Sequence, residues 1–224
     1  MPSLILFDID GTLVRRAGPH HRQALVDAIR KVTGLETTTE GIPVHGMLDP
    51  DILGLMMRAA GWEDNRIASA MPAVIEAAQE IYQESVPDLR DKTCPGAADL
   101  LSELHRRGAV LALVTGNLTR IGWRKLERAG LRDHFRFGAF GEMAETRGGL
   151  ARMAIERARR EGLIHDGALV SLIGDAAQDV QAARENGIRA IAVRTGVTPL
   201  EELQNAGPDL LLEDLTHLDP DHLN

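Results

Sequence analysis

A chain of 224 residues, 44% of them hydrophobic, can bury a substantial core in one domain or in one domain carrying an insertion. A formal net charge of −8 argues against the broad basic footprint of a general nucleic-acid binder, although one local cation could still build an anion pocket. The single cysteine, Cys94, excludes an internal disulfide and suits a reducing compartment, and no apolar run is long enough for a signal peptide or a bilayer span, so the expected setting is the cytoplasm with no membrane partner.

Residues 4–8 are short and apolar up to Asp8 and are stopped by Gly11, which predicts a buried strand ending at Asp8. From residue 15 to 92 no buried strand is expected. Three helical patterns fill that stretch: one with Leu25, Ala28, Ile29 and Val32 on a single face, one opening at Asp49-Pro50 and ending by Gly61, and one over residues 66–86. The stretch is a helical insertion and a candidate lid, with linkers near residues 15–18 and 87–95. Downstream, strands are predicted at 110–115, 137–140, 169–173, 190–193 and 209–212. Helices are predicted at 97–107, 119–129, 150–161 and 178–186, each followed by a glycine suited to a left-handed helix end. This alternation implies right-handed crossovers and a parallel sheet covered on both faces.

The chemistry-bearing residues fall at predicted strand ends. Asp8 and Asp10 alternate in extended chain and can face one ligand, and two carboxylates so close are costly to desolvate unless a cation or a reaction requires them. In isolation, Asp8-Ile9-Asp10-Gly11 could equally be a solvated turn. Thr115-Gly116-Asn117 offers a hydroxyl and backbone donors just before a helix, a phosphate-binding arrangement, and Gly174-Asp175 with Asp179 follows another strand. Singly, Thr115 is a helix-start or turn residue and Asp175 or Asp179 a cap. Their coincidence at strand carboxyl ends is what open parallel sheets use to bind ligands.

Together these segments resemble the haloacid dehalogenase superfamily, specifically its phosphatases with a helical cap inserted after the first motif, and the resemblance spans essentially the whole chain. Asp8-Ile9-Asp10-Gly11-Thr12 is similar to the first family motif, Thr115-Gly116-Asn117 to the second, and Gly174-Asp175 with Asp179 to the fourth. It implies an α/β fold with a Rossmann-like core of strand order 3-2-1-4-5, built from residues 1–14 and 93–224, and a helical cap at 15–92. The third motif usually provides a lysine. None of Lys31, Lys92 and Lys125 lies before Asp175 where that cation belongs, so Arg147 is assigned the place, with Arg152 next.

By the same resemblance, Mg²⁺ is held by the carboxylates of Asp8 and Asp175 and by the backbone carbonyl of Asp10, with Asp179 behind them or as a direct ligand. Asp8 is the nucleophile, Asp10 the acid and base, and Thr115, Gly116, Asn117 and Arg147 hold the phosphoryl oxygens. The expected partner is a small phosphorylated metabolite, handled by a monomer or small homo-oligomer. In the cap, Met47 and Leu48 stand where related phosphatases often carry polar or basic residues, which favours a less charged leaving group. His20, His21 and Arg58 are possible cap contacts, although such residues are usually solvated, while Trp62 and Trp123 are expected to pack. A sugar-phosphate mutase, a dehalogenase or phosphonatase, and a non-catalytic metal-binding module are the alternative readings.

Overall fold

Alternate residues of a strand point to opposite faces of its sheet, and in the first strand both sets are apolar. In the computed structural model, which describes residues 2–15 and 18–223, β1 (Leu4–Phe7) is fully buried. Leu4 and Leu6 belong to one hydrophobic cluster, and Ile5 and Phe7 to another. The remaining strands are β2 (Val110–Val114), β3 (Phe137–Ala139), β4 (Val170–Gly174), β5 (Arg189–Val193) and β6 (Leu210–Leu212). They form one parallel sheet in the order β3-β2-β1-β4-β5-β6. The expected five-strand order is present, extended by β6 at the edge.

The helices are α1 (His20–Thr33), α2 (Asp49–Ala59), α3 (Asp64–Ser85), α4 (Ala97–Arg106), α5 (Thr119–Ala129), α6 (Arg147–Arg160), α7 (Ala177–Glu185) and α8 (Leu200–Ala206). Leu150, Ala151, Ala154 and Ala158 of α6, Val180 and Ala183 of α7 and Leu203 of α8 cover the Leu4/Leu6 face. Leu100, Leu101 and Leu104 of α4 and Ile121 and Leu126 of α5 cover the other, and the apolar faces of α1, α2 and α3 join that same cluster. Most predicted helices are present within a few residues, and α8 is an addition to them. It has only Leu203 buried and therefore little amphipathic signal.

Residues 20–85 contain helices and no strand, as the sequence pattern predicts. The chain leaves the sheet and returns to it along two adjacent segments: the Cys94 amide donates to the Leu13 carbonyl and the Arg15 amide to the Lys92 carbonyl, both at 2.9 Å. Within the expected first linker, Arg16 and Ala17 lie outside the described residues. Among the described residues, no helix is long and apolar enough to cross a membrane.

Candidate active site

Parallel pairing sets Phe7 beside Leu113 of β2 and Ile173 of β4, so the residues that follow these three strands emerge together. They are Asp8, Thr115 and Asp175. The strand order reverses direction here, which leaves a crevice at the carboxyl edge. A cleft of about 910 Å³ opens over that edge, and its walls include Asp8, Asp10, Gly116, Asn117, Arg147 and Asp175.

Asp8, Asp175 and Asp179 are buried, and each offers a carboxylate oxygen within 4.8 Å of the others. Backbone geometry makes room for them. Gly11 has φ +84°, and a Cβ there would stand 2.3 Å from an Asp175 oxygen, so both conformation and space require glycine. Thr12 Oγ1 donates to Asp175 Oδ1 at 3.2 Å. Asp179, in the first turn of α7, accepts the Ala176 amide on Oδ2 (3.0 Å) and Arg147 Nη1 on Oδ1 (2.5 Å). Both of its oxygens are therefore engaged, as suits a residue standing behind a metal ligand.

Arg147 opens α6, where the Thr146 side chain caps the helix by accepting the Gly149 amide at 3.0 Å. Its Nη1 lies 3.2 Å from Asp8 Oδ1, while its buried Nε has no hydrogen-bond partner. Burial opposes the charge of the guanidinium, but Asp179 and Asp8 outweigh it and hold the group more firmly protonated than usual. Arg152, the second choice for this place, is absent from the cleft wall.

Asp8 Oδ1 is buried and accepts no hydrogen bond. Burial raises the Asp8 pKa to about 6, and Asp179 and Asp10 add to that rise while Arg147 opposes it. Asp175 is raised as well, first by burial and then by Asp8 and Asp179. Three clustered carboxylates against one guanidinium leave negative charge uncompensated, and an all-oxygen donor set of this kind fits a hard divalent cation such as Mg²⁺.

Asp10 lies in different surroundings. Its side chain is 45% exposed, and its oxygens lie 2.7 and 2.6 Å from Lys125 Nζ. Desolvation in the cleft works to raise its pKa, but the Lys125 ammonium and the hydrogen bonds from Lys125 and Asn117 lower it below the usual carboxylate value. The side chain of Asn117 donates to Asp10 Oδ2 (2.8 Å) and Thr115 Oγ1 (2.7 Å) and accepts from Lys125 (2.6 Å). Thr115 is fully buried beneath it.

Three residues of the network around Asp10 carry little or no functional signal in the sequence. Lys125 sits mid-helix on α5, where periodicity predicts burial but gives no reason for a cation. His21 was expected to be solvated, yet it bonds Asp49 at 2.9 Å and packs edge-on against Tyr82. Asp49 was expected only as a helix start, and it also accepts the Leu118 amide at 2.8 Å. Arg58 is exposed and pairs with Asp64, and His20 is not on the cleft wall. Trp62 and Trp123 pack, each beneath an arginine.

Residues 2–187 match the family described as haloacid dehalogenase-like hydrolase. The chain belongs to that family. This haloacid dehalogenase-like hydrolase is 29% identical over 215 residues to the phosphoglycolate phosphatase of Synechococcus elongatus, covering 93% of this chain and 92% of that one. It is 26% identical over 220 residues to the probable phosphatase IndB of Dickeya dadantii, covering 95% and 90%. Its fold is similar to that of CbbY from Rhodobacter sphaeroides, solved in complex with phosphate, with a TM-score of 0.71 at 24% identity over 97% of this chain and 96% of that one.

Proposed function

We propose that this hydrolase cleaves the phosphomonoester of a small phosphorylated metabolite with Mg²⁺ as cofactor, using Asp8 as nucleophile. The observation that carries the reading is the buried Asp8 oxygen at the carboxyl edge, which accepts no hydrogen bond and is set beside Arg147 and the Asp175 carboxylate. Asp8 and Asp175, with the Asp10 carbonyl, would hold the cation, which when bound neutralises phosphoryl charge that would otherwise repel the nucleophile. Asp179 would orient this set through Arg147 and the Ala176 amide. The names of the relatives, phosphatases throughout those reported above, support the substrate class.

Asp8 attacks phosphorus, forming an oxygen–phosphorus bond as the bond to the leaving oxygen breaks, and Asp10, protonated when the anionic substrate beside it raises its pKa, gives that oxygen its proton. Water then attacks the acyl phosphate, losing its proton to Asp10 and returning Asp8 and inorganic phosphate. Arg147, the Gly116 and Asn117 amides and the Thr115 hydroxyl hold the equatorial oxygens. Thr115 Oγ1 already accepts from Asn117, which leaves its own hydrogen to donate. The helices of residues 15–92 act as a cap that excludes water from the first step. The cap meets the core where the Asp49 amide donates to the Gly116 carbonyl at 2.8 Å and the Arg120 amide to Gln79 at 2.8 Å.

A screen of phosphorylated metabolites with Mg²⁺, run beside Asp8→Asn, tests this reading. Phosphate release from one compound far above the rest, abolished in the variant, is the expected result. Turnover retained by clean Asp8→Asn protein would refute the nucleophile.

A further inference from the structure

We infer that Lys125 is a positioning residue that fixes the orientation of the Asp10 carboxylate for proton transfer, an inference that rests on the role of Asp10 proposed above. Lys125 stands on α5 with its side chain 1% exposed, and a buried ammonium is tolerated only when fully paired. Its nitrogen lies within hydrogen-bond distance of three residues: Asp10 at 2.6 and 2.7 Å, Asn117 Oδ1 at 2.6 Å and His21 Nδ1 at 3.1 Å. An ammonium has three hydrogens, and these three partners use them all. None is left for a substrate oxygen.

The donor senses of the surrounding network follow from Lys125. Because an ammonium cannot accept, His21 Nδ1 must, so the ring hydrogen sits on Nε2 and is donated to Asp49 Oδ2 at 2.9 Å. Asn117 must present its oxygen to Lys125, which turns its amide nitrogen onto Asp10 Oδ2 and Thr115 Oγ1. One side chain thus orders groups from the segments that follow β1 and β2 and from α1 and α2 around Asp10. The carboxylate is half-exposed to the cleft, so buried packing alone does not hold its two torsions. Lys125 and Asn117 grip it from the buried side and leave its exposed edge toward the substrate. A proton-transfer group must stay within hydrogen-bond reach of the atom it serves, and this grip supplies that constraint.

A purely structural lysine would stabilise the fold without regard to what Asp10 does. The two roles separate in a double-mutant cycle on the full-length, Mg²⁺-loaded protein, comparing Lys125→Met in the native and Asp10→Asn backgrounds with p-nitrophenyl phosphate and phenyl phosphate. In the native background kcat for phenyl phosphate, the poorer leaving group, should fall about 30-fold or more with KM little changed, and p-nitrophenyl phosphate should lose less. In the Asp10→Asn background the further loss should be under about threefold, because the group being positioned is already disabled. Equal losses in both backgrounds, or for both leaving groups, would overturn the inference. Should Lys125→Met not fold, Lys125→Gln, which keeps a neutral donor in the same space, is carried through the same cycle against the same criteria. Failure of the parent reading is distinct, since it shows as turnover surviving Asp8→Asn.

Discussion

Asp8 and Asp10 are two residues apart but sit in opposite electrostatic settings. Desolvation is the largest single influence on both: at Asp8 it prevails, while at Asp10 Lys125, His21 and Asn117 together overcome it. The roles proposed for them need the reverse, an ionised nucleophile and a protonated acid, so a bound cation must draw Asp8 into its ionised form and the anionic substrate must raise Asp10. Asp10→Asn should cost about 100-fold with a poor leaving group and much less with an aryl phosphate that departs unprotonated, a contrast read from kcat across a leaving-group series. Arg147 pairs with both Asp8 and Asp179, so Arg147→Met strands buried carboxylates. Denaturant unfolding should show a loss of about 3 kcal/mol, and kcat should fall about 100-fold or more. A stable, active Arg147→Met protein would remove it from the site.

The loop between β2 and α5 is where the helical segment rests on the sheet. Gly116 presents its carbonyl to the Asp49 amide, and a Cβ at Gly116 would stand 2.2 Å from the Met47 carbonyl oxygen. Neither backbone can give way without lifting the start of α2. Gly116→Ala is therefore expected to cost about 1–3 kcal/mol through overpacking, to raise KM about tenfold, and to expose residues 20–85 to limited proteolysis. Unchanged protease resistance with unchanged KM would show that this contact is not what seats α2. The opposite end of the segment is held by α3, where Gln79 and Glu76 bond Arg120 of α5, so docking depends on two separated contacts.

At the scale of the molecule, the acidic pocket couples folding to pH. The Asp8 carboxyl is raised from its ordinary 3.8 to about 6 and Asp175 is raised as well, so the native state holds protons that the unfolded chain has released. The stability these groups contribute is complete below about pH 3.8 and is lost as the pH rises through about 6. In chelator, the Tm contribution of the pocket should decline from about pH 5 to 7.5, and saturating Mg²⁺ should raise Tm by about 5 °C at the upper pH and much less at the lower. An equal rise at both pH values would mean that the cation does not bind between these carboxylates.

The sequence by itself determined the architecture and the main acidic groups. Apolar runs of strand length alternating with amphipathic helices leave few topologies, and carboxylates stranded at strand ends, Asp8 and Asp175, have no apolar reason to be there. Arg147 was named through the family resemblance, which calls for a cation ahead of Asp175 where no lysine lies. Only the tertiary structure decided what surrounds Asp10. Lys125 is 115 residues away along the chain, and its helical position looks like any other buried place on α5. His21 and Asp49 read as solvated or capping residues until α1 and α2 fold back over the sheet edge. Pattern reveals which side chains must be buried or exposed, because that follows from local periodicity. Which buried donor meets which acceptor depends on contacts between distant elements, and no local period encodes that pairing.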